Sequence, residues 1–390
     1  MEDDLHRPET GTPPPAFWRT PADPVVASPN ERELLDLVRR QGRMSRADLV
    51  RATGLAAQSV MRLVDELRDR GLLRLGETLP REGRGKPSQA VELVPGHACT
   101  IGFSVTTDSV SSAIVDFAGN VLGQRHEQTP DLDRSKLVAV LRQHTQTLLH
   151  THKVSPDRLF GLGVGITGFF VGEGRRVNSP SPLDDLALVD LDELLTRELG
   201  HPVWLDNDGT VAAVGESMLG VGRWARSFVY LYFSLGLGGG LIVNGRCVRG
   251  AHGNAGEVAG MLSIPGIEAP TLELLREMLA LDGLAFADIG AMLAQFNPHW
   301  PACDRWLERA RPAMSLIVSA SVALLDPDAI VYGGRLPRAL AERLIAGSTI
   351  DNRPRRGRKR PEPRLVPAEA PSDATAIGAA ALPFKEHFFL

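Results

Sequence analysis

One stretch limits what this chain can fold into more than any other: Leu231-Tyr232-Phe233-Ser234-Leu235-Gly236-Leu237-Gly238-Gly239-Gly240-Leu241-Ile242-Val243-Asn244-Gly245-Arg246. An apolar run feeds a glycine-dense turn, a second apolar run follows, and Asn-Gly closes a hairpin. Glycine there serves one of two ends. It allows turns with positive φ, or it lets backbone N–H groups come close to a phosphate or a sugar. The second use makes the chain an enzyme or the descendant of one.

The chain has 390 residues, too many for one ordinary core, so two or three domains are expected. No apolar run reaches the roughly 18–20 residues that span a bilayer. The N-terminus, with Glu2, Asp3 and Asp4 among many prolines, has neither the charge nor the apolar core of a signal peptide. A cytoplasmic address without a membrane partner is therefore expected. Cys99, Cys247 and Cys303 stand alone, which indicates neither a disulfide framework nor a thiolate metal site. The formal net charge is −4, but it is unevenly spread: residues 31–90 hold 13 Lys/Arg against 9 Asp/Glu. A basic segment joined to an acidic body suggests a nucleic-acid module.

Residues 1–29 are proline-rich, lack periodicity and read as a disordered tail. Three helical patterns follow. Leu34, Leu35, Leu37 and Val38 give one apolar face, stopped by Gly42. Ser45 stands as an N-cap with Asp48 three residues on, ahead of a short helix that ends at Gly54. A third helix over Ala57–Arg70 carries Val60, Leu63, Val64 and Leu67. Two strands, Leu72–Leu75 and Ala90–Val94, flank Arg84-Gly85-Lys86-Pro87. This is the order of a winged helix-turn-helix over residues 30–95. Gln58, Ser59 and Arg62 would meet base edges in a major groove, since Gln suits adenine and Arg suits guanine. Arg84 and Lys86 would reach phosphates or a minor groove from the wing tip. The alternative is a three-helix interaction module whose arginines are solvated.

Beyond Thr100 a β-meander is followed by alternating helices and strands, and the pattern occurs twice. That argues for two α/β lobes around a cleft within residues 96–390: one over about 96–205 plus the C-terminal helix, the other over about 206–370. The basic run at residues 353–364 reads as a solvated loop or as a second phosphate-contacting patch.

A winged helix followed by this α/β pattern resembles the ROK family of repressors, open reading frames and sugar kinases. Leu205-Asp206-Asn207-Asp208, Ala251-His252-Gly253-Asn254-Ala255-Gly256-Glu257, the glycine run and Ile330-Val331-Tyr332-Gly333-Gly334 carry the resemblance. It implies an α/β, two-lobed, actin-like (ribonuclease-H-like) ATPase-type fold preceded by the DNA-binding domain. Several departures bear on activity. The family's Asp-x-Gly-Gly-Thr phosphate loop is Ser104-Val105-Thr106-Thr107-Asp108 here, and Leu235 stands where a phosphate-contacting Thr is usual. Gly260 replaces a His, Pro182 stands where an Asn often sits, and residues 265–273 lack the family's zinc cysteines.

What remains is a partial sugar site. The resemblance assigns Asn207, Asp208, Glu257 and, by looser alignment, Glu273 to sugar hydroxyls, which suit carboxylates and amides. Asp208 capping the next helix, and Glu257 partnering an arginine, are the structural alternatives. The expectation is a sugar-responsive regulator, a repressor, that binds a pseudo-palindromic operator as a homodimer or homotetramer. No cofactor, metal or catalytic residue is expected. The alternatives are a sugar kinase with a fused DNA-binding domain, or a ligand-independent scaffold.

Overall fold

The computed structural model describes residues 27–79, 88–172, 176–350, 352–370 and 374–390. The tail expected over residues 1–29 lies almost wholly outside them, as do the wing-tip residues Arg84 and Lys86.

The N-terminal unit follows its local signals. Helix α1 (Pro29–Gln41) starts with Pro at N1, and the Ser28 N–H donates to Glu31 Oε2 at 2.7 Å. Ser45 and Asp48 form the reciprocal capping box of α2 (Arg46–Thr53). Helix α3 (Ala57–Asp69) buries Val60, Leu63, Val64 and Leu67. Strands β1 (Met44–Ser45), β2 (Leu73–Leu79) and β3 (Ser88–Leu93) pair in the order β1-β3-β2. This is a winged helix-turn-helix.

The body contains two five-stranded sheets of one design. In the first, β4 (Cys99–Val105), β5 (Ser109–Asp116) and β6 (Val121–Gln128) form an antiparallel meander. Helix α4 (Arg134–Thr151) leads to β7 (Leu159–Ile166), parallel to β4; a hairpin of β8 (Phe169–Val171) and β9 (Arg176–Asn178) follows. Helix α5 (Leu191–Leu199) precedes β10 (Val203–Asn207), parallel to β7, giving the order β10-β7-β4-β5-β6. Helix α6 (Asp208–Leu219) then crosses to the second sheet.

There the meander is β11 (Phe228–Phe233), β12 (Leu237–Val243) and β13 (Arg246–Val248). Helices α7 (Leu272–Leu281), α8 (Ile289–Ala294) and α9 (Pro301–Leu325) precede β14 (Ala329–Gly334), parallel to β11. After α10 (Arg338–Gly347), β15 (Arg364–Pro367) pairs parallel to β14, so the order is β13-β12-β11-β14-β15. The same connectivity twice makes the body two-lobed and actin-like. Strand β15 takes the end of the basic run read as a loop; Arg364 lies 4.2 Å over the Trp224 ring, which helps hold it there.

The last helix, α11 (Ala374–His387), carries Pro383 within it. It packs along α6 and on β4 and β7. A Cβ on Gly378 would stand 1.7 Å from the Val211 carbonyl oxygen, and one on Gly163 1.8 Å from that of Ala379. Glycine at these positions lets helix and sheet backbones touch. At its far end Phe384, Phe388 and Phe389 join Leu34, Leu35, Val64 and Leu67 in a single buried cluster that also takes in Phe117 and Phe160. The winged helix thus shares its core with the body.

Candidate functional site

The glycine run turns out to serve close approach, not positive φ. None of Gly236, Gly238, Gly239 and Gly240 has positive φ; the closing Asn244 and Gly245 do, at 53° and 78°. Cβ atoms on Gly239 and Gly240 would stand 2.6 Å from the Tyr230 oxygen and from Ala213 Cβ. Gly236 and Gly238 meet nothing within 4 Å and open onto a cavity.

That cavity is about 430 Å³. The first sheet contributes Thr167, Asn207 and Asp208, the β8–β9 hairpin leads into Asn178 and Ser179, and the second sheet's side adds Tyr232, Ser234 and Glu257. Among the described residues, no Lys, Arg or His lines it. Asn254 bridges its two sides: its amide donates to the Phe170 oxygen and its carbonyl accepts from the Phe170 N–H, both at 2.8 Å.

The N-cap of α6 is Asn207, whose Oδ1 accepts from the Gly209 and Thr210 N–H groups at 2.8 and 3.1 Å. Its Nδ2 donates to the Gly168 oxygen. One amide hydrogen is left for a ligand, so this side chain mainly frames the site. Asp208 is thereby released from capping by its side chain at the usual position. Its Oδ2 accepts from Thr167 Oγ1 at 2.7 Å and its Oδ1 from the Gly209 N–H at 2.8 Å. Burial pushes its pKa up to about 7, the Thr167 and Gly209 donors oppose the rise, and the Glu257 charge adds to it. Burial also raises the pKa of Glu257.

Glu273 is a correction. It lies in the first turn of α7, and Arg276 grips both its oxygens from the next turn, with Nε–Oε2 at 2.9 Å. It does not line the cavity, and neither do Gly260 or Pro182. Sequence reasoning missed Asn178, Ser179, Thr167 and Tyr232; Ser179 Oγ is buried without a hydrogen-bond partner and stands in the wall.

Asp108, in the altered loop, is directed into the protein. It accepts from Thr106 Oγ1 at 2.8 Å, from the Gly290 N–H at 2.8 Å, and from Arg335 Nη1 and Nη2 at 2.8 and 2.9 Å. Burial alone would raise its pKa, but Arg335, Thr106 and Gly290 together hold it below its ordinary value. This fork-to-carboxylate pair joins the β4–β5 turn of one lobe to the end of β14 in the other. Beside it lies a cavity of about 530 Å³ with hydroxyls of Ser109, Ser111, Tyr230, Tyr232 and Thr375 in its lining. Tyr232 lines both cavities. Among the described residues, no cluster of three or more His, Cys, Asp or Glu is placed to hold a metal ion.

On the winged helix, Gln58 and Arg62 are exposed on α3 and Ser59 is half-buried beside them. Arg62 is held by Glu66 at 2.7 Å, an exposed pair that base contact must break. Met61, 48% exposed, adds an apolar side chain that the sequence reading left out. Ala56 offers no side-chain cap, so first-turn N–H groups of α3 remain for a phosphate.

The comparisons with known proteins agree with this geometry. The ROK family pattern matches residues 100–266 and the MarR family pattern matches residues 28–85. An uncharacterized protein of Sinorhizobium fredii is 28% identical over 374 residues, 92% of each chain. The xylose repressor of Bacillus spizizenii is 24% identical over 241 residues, 60% of this chain and 61% of that one. A solved ROK family transcriptional regulator, a homolog of the E. coli MLC protein, superposes with a TM-score of 0.66 at 20% identity, covering 91% of this chain and 95% of that one. Residues 100–266 thus form a ROK family domain, preceded by a MarR-type winged helix over residues 28–85.

Proposed function

We propose that this protein is a sugar-responsive transcriptional repressor without phosphoryl-transfer activity. One observation carries the reading. Helix α6 begins at the cleft with Asp208 and packs along α11, and α11 ends inside the core of the winged helix. A ligand at one end therefore bears on the orientation of the other, provided it binds the two states with different affinity. The similarity to a xylose repressor supports a sugar as the ligand.

The cleft chemistry narrows the ligand class. Asp208 and Glu257 can accept hydrogen bonds from hydroxyls, and among the described residues no basic side chain lines the cleft to take a phosphate. The ligand is a neutral sugar or a polyol. The domain reading stays at 30–95 for DNA and 96–390 for the ligand, with a homodimer or homotetramer on a pseudo-palindromic operator. No helix among the described residues is long and apolar enough to cross a membrane.

Phosphoryl transfer is mostly positioning and electrostatics. Ser104 offers no carboxylate for Mg²⁺, Leu235 lines the cleft at the second loop, and Asp108 is committed to Arg335. The kinase reading rests on Asp208, whose raised pKa suits a general base.

The test is fluorescence anisotropy with DNA flanking the protein's own gene, with and without a panel of neutral sugars. One sugar is expected to release the DNA, and Asp208→Asn to abolish the release while DNA binding persists. Affinity should fall steeply with salt, and Arg62→Ala should cost about 1–3 kcal/mol at the operator. ATP consumption with any hexose, lost in Asp208→Asn, would establish the kinase instead. If no sugar shifts either melting or DNA binding, the cleft has no effector and the protein is a ligand-independent scaffold.

A further inference from the structure

A third cavity, of about 290 Å³, lies where the winged helix meets the body. Its lining draws on three bodies: Arg32 of α1, Arg246, Cys247 and Arg249 in and after β13, and Lys385 and Glu386 near the end of α11. Among the side chains four cations thus face one carboxylate, and Leu390 with its backbone also lines the cavity.

The cations are unequally satisfied. Arg32 donates to the Lys385 and Phe389 carbonyl oxygens, which orients its guanidinium but leaves its charge without a counter-ion there. Arg249 pairs with buried Asp206 at 2.9 Å. Arg246 and Lys385 have neither a hydrogen bond nor an ion pair from their side chains among the described residues. Nearby Asp36 is already occupied by Arg39 and Arg40, at 3.0 and 2.7 Å. Burial, with the Arg39 charge, lowers the Lys385 pKa to about 8. A concave wall carrying uncompensated positive charge focuses the field inside it and favours an anion.

We propose that this junction cavity is a second effector site, which takes a small phosphate-bearing anion through Lys385, Arg246, Arg249 and Arg32. Its preference is opposite to that of the cleft, which among the described residues has carboxylates and no basic side chain. The two sites are linked through Arg249. Asp206, its partner, accepts from the Asn207 N–H at 2.8 Å, and Asn207 and Asp208 begin the sugar site. An anion that draws Arg249 toward itself loosens the hold on that strand end. At the same time it bridges α1 to β13 and α11, and so stiffens the seat of the winged helix. The cavity stands on its own residues, whatever the cleft binds.

Cys247 supplies the readout. It is the half-buried thiol of the three; Cys99 and Cys303 are buried. Full-length protein is labelled with a fluorescent maleimide at pH 8, in the presence of inorganic pyrophosphate, glucose 6-phosphate, glucose, or sodium chloride at matched ionic strength. Pyrophosphate or glucose 6-phosphate is expected to slow labelling several-fold and to raise the melting temperature; glucose and chloride are not expected to slow labelling. Protection by both means that phosphate alone is recognised; protection by glucose 6-phosphate alone means that the sugar part is read too. Either result supports the site. Arg246→Gln and Lys385→Gln should each weaken protection about tenfold, the size of one lost charged hydrogen bond. Arg246 is exposed, so its variant keeps the test open should Lys385→Gln fail to fold. Protection equalled by chloride, surviving in the Arg246→Gln variant, or absent with both phosphates would overturn the proposal.

Discussion

The two sheets of the body have the same strand order, so the β4–β5 turn and the β11–β12 turn occupy equivalent places in the two lobes. They have diverged in opposite ways. The first is closed: Thr106 and Ser109 hydroxyls and the Arg335 fork converge on Asp108, which crosses between the lobes. The second is open, with Gly236 and Gly238 exposing bare backbone to the cleft. The closed turn ties the two lobes together through an ion pair and borders the cavity of about 530 Å³, whereas the open turn presents its backbone to the cleft.

The largest expected effect comes from breaking the closed turn. Arg335→Ala leaves Asp108 buried without its counter-ion and should cost about 3–5 kcal/mol in chemical denaturation. Asp108→Ala with Arg335→Ala together should recover much of that loss. Because Asp108 has a depressed pKa, its contribution is present above its ordinary value of 3.8 and is lost as pH falls through the lower folded value. A single Arg335→Ala change without effect on stability would mean that the pair does not hold the lobes.

Asp208 should show the opposite sign. Its pKa is raised from 3.8 to about 7, so the wild type loses stability as pH rises between those values. Asp208→Asn should therefore be more stable than wild type at pH 8, by on the order of 2–4 kcal/mol. The gap should close as pH approaches 4. Urea melts at the two pH values check this, and an equal gap at both would remove the buried, proton-sensitive role.

Neighbouring glycines sharpen the comparison at smaller scale. Gly239→Ala forces a Cβ to 2.6 Å from the Tyr230 oxygen and 3.0 Å from that of Gly256, and should cost about 1–3 kcal/mol. Gly238→Ala meets nothing and should change stability by less than about 0.5 kcal/mol. Its effect should appear in sugar affinity. Thermal melting and ligand titration of the two variants separate scaffold from binding surface along one strand.

Much of this was legible in sequence because it is local. Ser45 with Asp48 announced α2, Gly42 and Gly54 ended their helices, and the repeated meander announced the two lobes. What escaped depends on residues distant in sequence. Asp108 reads as a lost catalytic residue's neighbour until Arg335 arrives from the other lobe. Two local contacts also escaped, because a cap and an i,i+3 pair look the same in sequence as free side chains: Asn207 caps α6 while it lines the cavity, and Arg276 takes Glu273. The β8–β9 hairpin and β15 are short, with no periodicity to expose them. Pro383 hid the last turns of α11, since proline seldom sits inside a helix that continues.

Those last turns set an order on biosynthesis. The winged helix is made first, yet its core includes Phe384, Phe388 and Phe389, and Arg32 of α1 binds the Lys385 and Phe389 carbonyls. A nascent chain that has emerged only as far as the second lobe lacks part of the apolar surface that its N-terminal domain buries. A polypeptide stopped before Phe384 is expected to melt without a cooperative winged-helix transition. Incomplete products would then be poor competitors for the operator, a form of quality control written into chain topology.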